Sequence, residues 1–279
     1  MAEIPNVCLS LSSRSENVLV VRQALTGVAE AIALDPVETN DLITAVTEAA
    51  NNVVLHAYGG EEGPLEVEVY VRASGVEVVV RDHGRGIGLE EAPTPDGPVG
   101  IGLPVIHALT DDVELKDLAG EGTEVRMTFQ TPKAGALEPF GEDGLRRRTV
   151  GEAELASTIE VALAPIPLAR AVLPRILTVL AARAHFSTVR ISDLGLIAGA
   201  LATHAGDSLD GSHLSVGIDL EPRRLRLRVG PLRAGRARTL ILDPARDGVG
   251  PAIERLAADH SVAPEGSSEM LALQLVEPR

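Results

Sequence analysis

Apolar residues recur along the chain at two spacings, and the order of those spacings predicts an α/β arrangement. Val7 to Leu11 reads as a short strand, and from Ser15 to Ala33 the residues Val18, Val21, Leu25, Val28 and Ile32 fall at helical intervals. Asp35-Pro36 breaks that run, because proline biases its predecessor away from helix, and a second helix is predicted from about Glu38 to His56. The period then changes to two. Leu65, Val67, Val69 and Val71 alternate with polar residues, Ala73-Ser74-Gly75 supplies a turn, and Val76, Val78 and Val80 resume the alternation, which is the pattern of a hairpin. Gly84 to Gly102 is rich in glycine and proline, is too long for a tight connection, and reads as a functional loop. A helix over about Leu103 to Leu109 and strands over Asp112 to Leu118 and Thr123 to Gln130 complete this part.

Residues 133–157 contain Gly135, Pro139, Gly141, Gly144 and the run Arg146-Arg147-Arg148, and read as a solvated linker. Beyond it the same rhythm returns. Ile159 to Leu163 matches the first strand, Leu168 to Ala184 the first helix, and Asp193-Leu194 lines up with Asp41-Leu42 near the head of the second helix. Placing Leu214 on Leu65 carries Val67, Val69, Val71, Val76, Val78 and Val80 onto Val216, Ile218, Leu220, Leu225, Leu227 and Val229 without a gap. Gly248-Val249-Gly250-Pro251 echoes Gly100-Ile101-Gly102-Leu103, and Gly266-Ser267 echoes Gly122-Thr123. The predicted organisation is one domain over residues 1–132, the linker, and a diverged second copy over residues 158–279.

Composition excludes several function classes. Across 279 residues, 45% are hydrophobic and 23% charged, which fits neither wholesale disorder nor a fibrous repeat. No run of about 18 uninterrupted apolar residues exists, so no membrane span is expected. The first residues lack a basic region followed by an apolar run, and the single cysteine, Cys8, cannot close an internal disulfide. A cytoplasmic location follows as the expectation, with Cys8 read as a buried small hydrophobe. The net charge of −15 argues against a nucleic-acid partner, since phosphates need a basic surface. Residues 1–135 hold 8 basic and 22 acidic side chains, whereas the remainder holds 17 and 18, so nearly all of the surplus lies on the first half.

Glu48, Asn52 and His56 stand four residues apart on the second predicted helix, which places them on one face. Asp82-His83-Gly84-Arg85-Gly86-Ile87 follows a strand, and Gly100-Ile101-Gly102 opens a helix. Glycines let backbone amides approach a ligand, and a helix N-terminus offers unpaired N–H groups to phosphate. Each piece alone is weak; their order and context together point to a nucleotide site.

The run Thr47-Glu48-Ala49-Ala50-Asn51-Asn52-Val53-Val54-Leu55-His56-Ala57-Tyr58, the Asp82 to Ile87 segment, Gly100-Ile101-Gly102-Leu103 and Gly122-Thr123-Glu124-Val125 resemble the N box, the two glycine boxes and the closing Gly-Thr of the gyrase, chaperone, histidine kinase and MutL type ATPase (GHKL) fold. Within it the chain is most similar to the anti-sigma factor serine kinases of bacterial partner-switching systems, through the Asn-x-x-x-His-Ala-Tyr ending and Thr110-Asp111-Asp112-Val113. The resemblance implies a two-layer α+β sandwich with a mixed, mainly antiparallel sheet and helices on one face. It also implies ATP and Mg²⁺ as cofactors, with Asn52 as metal ligand and Glu48 as the general base acting on a serine hydroxyl or water. Asp82 would accept from the adenine amine, Gly84 and Gly86 would leave room for the base, Gly100 and Gly102 would wrap the phosphates, and Thr123 would support the adenine. His56 reads as structural rather than catalytic. Relatives carry a basic residue just before the second glycine box where this chain has Pro98-Val99; Arg85 is the candidate substitute, with a solvent-facing role as the alternative.

In the second copy Glu48 falls on Ala200, Asn52 on His204 and Asp82 on Pro231, so no ATP binding is expected there. The resemblance implies homodimers, and the fused copy would supply the second subunit as an intramolecular pseudo-dimer. Arg224, Arg226 and Arg228, alternating along one strand, set against Glu66 and Glu68, offer opposite fields for such pairing. The implied activity is sequestration of a sigma factor and phosphorylation of a STAS-type anti-anti-sigma partner. A noncatalytic, nucleotide-responsive binding module is the alternative, and a sensor histidine kinase fits less well because no span or long dimerisation helix precedes the boxes.

Overall fold

The structure, a computed structural model, describes residues 5–86, 102–131, 158–242 and 251–278. The predicted linker, Pro98, Val99, Gly100, Gly248 and Gly250 lie outside the described residues. The chain divides into two compact units, one carried mainly by residues 8–131 and the other mainly by residues 158–278.

The first unit runs β1 (Val7–Ser12), α1 (Ser15–Ala31), α2 (Pro36–Asn52), a π-helical turn (Val53–Ala57), β2 (Pro64–Arg72), β3 (Gly75–Asp82), α3 (Gly102–Leu109), β4 (Asp112–Asp117) and β5 (Thr123–Gln130). Its strands are ordered β4-β5-β3-β2-β1. Antiparallel pairing sets Val67 opposite Val80, Val69 opposite Val78 and Val71 opposite Val76, and β5 adds Val125, Met127 and Phe129 beside Val80, Val78 and Val76. These residues form one buried apolar face, with α2 in contact with α1, α3 and the sheet. The core is therefore the period-two face of the sheet closed by the period-3.6 stripes of the helices. Cys8 is only half-buried, because the alternation of β1 gives the inward positions to Val7, Leu9 and Leu11.

The opposite face of this sheet is a ladder of ion pairs. Arg81 reaches Glu66, Glu68 and Glu124, and Arg126 reaches Glu77 and Glu124. Burial opposes the charge of Glu124, but hydrogen bonds and charge from Arg81 and Arg126 outweigh it and hold that carboxylate below its ordinary value.

α2 begins two residues earlier than its periodicity predicts, because Asp35 caps it. The Asp35 carboxylate accepts from Val37 N at 2.8 Å and Glu38 N at 2.9 Å, while Glu38 accepts from Asp35 N at 3.0 Å, closing a capping box with Pro36 at the first helical position. Asp35→Ala should lower the stability of this unit by about 1 kcal/mol, read as a shift in its denaturant midpoint.

The second unit runs β6 (Thr158–Leu163), α4 (Ile166–Arg183), α5 (Thr188–His204), β7 (Leu214–Glu221), β8 (Arg224–Arg233), α6 (Arg236–Leu242), α7 (Ala252–Leu256), β9 (Asp259–Glu265) and β10 (Ser268–Val276). Its strands are ordered β9-β10-β8-β7-β6. Val216 pairs with Val229, Ile218 with Leu227 and Leu220 with Leu225, and β10 lays Leu271, Leu273 and Leu275 beside Val229, Leu227 and Leu225. Arg228 spans β7 to reach Glu160 at 3.1 Å, which Gly217 permits, since a Cβ there would lie 2.8 Å from the Glu160 carboxylate. Arg224 and Arg226 meet Glu221. Within their own units Arg224 and Arg226 thus share one carboxylate, and Glu66 and Glu68 share the Arg81 guanidinium with Glu124. Among the described residues, no helix is long and apolar enough to cross a membrane.

Candidate functional site

Glu48 and Asn52 occupy the last two turns of α2, and the α-helical spacing that puts them on one face ends at Asn52. The π-helical turn that follows changes the phase, so His56 does not continue the series and is exposed. Gly102, the first residue of α3, closes on the other two. A Cβ on Gly102 would lie 3.2 Å from Asn52 Oδ1, 3.3 Å from Asn52 Nδ2 and 3.4 Å from Glu48 Oε2. The absence of a side chain is what lets the start of α3 approach both polar groups.

The second cluster centres on Asp82 at the end of β3, which is 4% exposed. Its Oδ1 accepts from Gly84 N at 2.9 Å and from Thr123 N at 3.2 Å. Burial pushes the Asp82 carboxyl up; the hydrogen bonds from Gly84 and Thr123 work in the other direction without cancelling it. Gly84 sits so close to the end of the π turn that a Cβ would lie 2.2 Å from Ala57 O, and Arg85 N donates to the same carbonyl at 3.0 Å. Gly122, at φ +116°, passes Asp82 where a Cβ would lie 2.0 Å from its carbonyl oxygen. Gly86, at φ +71°, lies against Asp117.

Of the residues the sequence singles out, the structure therefore brings Glu48, Asn52 and Gly102 together, and separately Asp82, Gly84 and Thr123, with Gly86 at the margin. Arg85 is exposed, and its guanidinium lies over Gly59, where a Cβ would meet it at 2.9 Å. The sequence places Tyr58 at the end of the N-box run without giving it a role; its hydroxyl accepts from His83 N at 2.9 Å and donates to Pro64 O. Its ring lies where a Cβ on Gly63 would stand 2.1 Å away, and burial pushes the phenol up to about 12. An aromatic residue followed by several glycines is the only local signal of that contact.

The donor set bears on a metal. Among the described residues there is no group of three or more His, Cys, Asp or Glu side chains placed to hold an ion. The Asn52 amide oxygen, with Glu48 beside it, is an oxygen site of low denticity. Such a site suits Mg²⁺, which keeps several waters and takes its remaining ligands from substrate phosphates.

In the second unit α5 has the same 17-residue length as α2, with Ala200 at the position of Glu48 and His204 at that of Asn52. β8 runs past Pro231 and leads into α6, which buries Ala237, Leu240 and Ile241.

Residues 11–129 match the model of the histidine kinase-like ATPase domain. The chain is 32% identical over 130 residues to the anti-sigma F factor of Thermoanaerobacter sp. (strain X514), covering 43% of this chain and 90% of that protein. It is 35% identical over 135 residues to the serine-protein kinase RsbW of Listeria innocua serovar 6a (44% and 85%) and 30% identical over 115 residues to the serine/threonine-protein kinase RsbT of Bacillus subtilis strain 168 (39% and 86%). The chain belongs to the histidine kinase-like ATPase family, on the branch that holds the anti-sigma F factors and the RsbW-type serine-protein kinases.

Proposed function

We propose that the first unit is an ATP-dependent protein serine kinase and anti-sigma factor, with the convergence of Glu48, Asn52 and Gly102 as the observation that carries the reading. Asp82 holds one carboxylate oxygen against two backbone N–H groups, which leaves the other oriented to accept from the adenine amine. Gly84 and Gly86 keep the floor of the base pocket free of side chains, Thr123 steadies Asp82 from β5, and Gly102, with Gly100 before it, lets backbone N–H groups approach the phosphates. Asn52 would hold Mg²⁺, which supplies charge neutralisation on the triphosphate when bound. Glu48 accepts the proton of a serine hydroxyl as its oxygen attacks the γ-phosphorus; the bond from that phosphorus to the β–γ bridging oxygen breaks, and ADP leaves.

The proposed partners are a sigma factor, which the protein sequesters, and a STAS-type anti-anti-sigma protein, which it phosphorylates. The second unit is a diverged copy of the first that binds no ATP and stands in for a second subunit. The equal lengths of α2 and α5, the same strand order and the same hairpin register support the duplication. Incubating the full chain with γ-³²P-labelled ATP and a purified STAS-type protein is expected to place label on a partner serine. Tight ATP binding with no transfer would instead favour a nucleotide-responsive binding module.

A further inference from the structure

We propose that Tyr58 is a positioning residue for base recognition, acting by fixing the turn that carries Asp82. This rests on the reading of Asp82 as the adenine acceptor. The β2–β3 ladder ends at the pair Leu65 and Asp82. The next rung would join Pro64 and His83 by the single bond from His83 N to Pro64 O, since proline has no N–H for the return bond. The Tyr58 hydroxyl stands in that rung instead, taking the N–H of His83 at 2.9 Å and donating to the carbonyl of Pro64.

The hydroxyl thus takes up a donor of one strand end and an acceptor of the other, one residue beyond the pair that carries the acceptor Asp82. The chain after Asp82 is then free to turn back, and Gly84 N closes on Asp82 Oδ1 at 2.9 Å. Arg85 N and Gly84 dock on Ala57 O, so the residue that precedes Tyr58 holds the far side of the same turn. Gly63 admits the ring, because a Cβ there would lie 2.1 to 2.5 Å from three ring atoms. The phenol stays protonated across the physiological range, as a donor to Pro64 requires.

The second unit supplies the contrast. There the hairpin positions of Gly63, Pro64 and Asp82 hold Ser212, His213 and Pro231, and the helix alignment puts Asp210 in place of Tyr58. The β7–β8 ladder ends one pair sooner there, at Ser215 and Gly230, while Asp210 N donates to Pro231 O at 3.0 Å, Leu209 bridges to Leu232, and β8 continues to Arg233. The tyrosine hydroxyl and the carboxylate acceptor are absent together.

The test compares ATP with ITP, whose base has a carbonyl in place of the exocyclic amine, by titration of the full chain. Wild type is expected to prefer ATP. Tyr58→Phe is expected to weaken ATP about tenfold, the scale of one hydrogen bond to a charged group, and to leave ITP within about twofold. A purely structural role would weaken both alike. If wild type discriminates and Tyr58→Phe keeps the full ratio, the role of Tyr58 is overturned while the adenine reading stands. If wild type binds both alike, the adenine reading fails and the proposal with it. Should Tyr58→Phe not fold, the native sequence grown with 3-fluorotyrosine gives the answer. The chain has only two tyrosines, and Tyr70→Phe assigns their ¹⁹F resonances. ATP is expected to move the Tyr58 resonance and ITP to move it less; no movement with ATP overturns the proposal.

Discussion

Replacing Glu48 by glutamine is expected to slow phosphate transfer to a partner serine by about 10²- to 10⁴-fold, the range that a positioned general base contributes. ATP affinity should stay within about threefold, because differential stabilisation of the transition state, not ground-state binding, is what the base supplies. The substitution keeps the shape of the side chain beside Gly102, where a Cβ would already be 3.4 Å from Glu48 Oε2, so neither a cavity nor a clash is introduced. Glutamine has no pair of electrons basic enough to take the serine proton. Asn52→Ala should behave differently, losing the amide oxygen proposed for the metal and with it nucleotide affinity in the presence of Mg²⁺. Single-turnover transfer of label from ATP, with binding measured separately, distinguishes the two. Transfer within tenfold of wild type in the Glu48→Gln protein would remove Glu48 as the base.

The contrast between these two positions also marks what sequence can reveal. Glu48 and Asn52 are legible because an α-helix has a fixed period: four residues apart means one face, and no tertiary information is needed. The hairpin is legible for the same reason, since alternation fixes which side of β2 and β3 is buried, and the register of Val67 on Val80 follows from the turn. His56 shows where periodicity ends. A π-helical turn depends on how the chain leaves α2 toward the loop over Gly84, which is a contact 27 residues away between Gly84 and Ala57 rather than a local preference. Tyr58 is hidden for a like reason, since its hydroxyl serves His83 and Pro64 through a rung that exists only once β2 and β3 have paired. α6 is legible in the same way as α2, since Ala237, Leu240 and Ile241 fall at helical spacing after Gly235. Ion pairing is hidden for the same reason as Tyr58: alternation puts Arg224, Arg226 and Arg228 on one face, but only the paired strands show that the first two share Glu221 and that Arg228 crosses β7 to Glu160.

Asp82→Asn is expected to separate recognition from stability, and the sign of each effect follows from the burial of the carboxylate. Burial raises the folded-state value of Asp82 above its ordinary 3.8, against the hydrogen bonds from Gly84 and Thr123. A carboxyl raised on folding favours the folded state most when it is protonated in both states, below the ordinary value. That contribution is lost as pH rises through the raised folded value, so at pH 7 the wild-type unit carries the whole cost of a buried charge. Asparagine keeps an oxygen for Gly84 N and Thr123 N but no charge. The variant should therefore be at least as stable as wild type at pH 7, with the difference shrinking as pH falls toward 4. Recognition moves the other way. With its oxygen committed to the backbone, the amide turns an N–H₂ donor toward the base, opposite the donor amine of adenine. The lost hydrogen bond to a charged group is worth about 1.5–3 kcal/mol, or roughly a 10- to 150-fold weaker affinity for ATP. ITP, which presents an acceptor at the same place, should bind the variant as well as or better than it binds wild type. Denaturant midpoints at pH 7 and pH 4 beside the two titrations read both effects. A variant that is destabilised at pH 7 and still prefers ATP would place the selectivity elsewhere in the site and leave Asp82 as a structural anchor for Gly84 and Thr123.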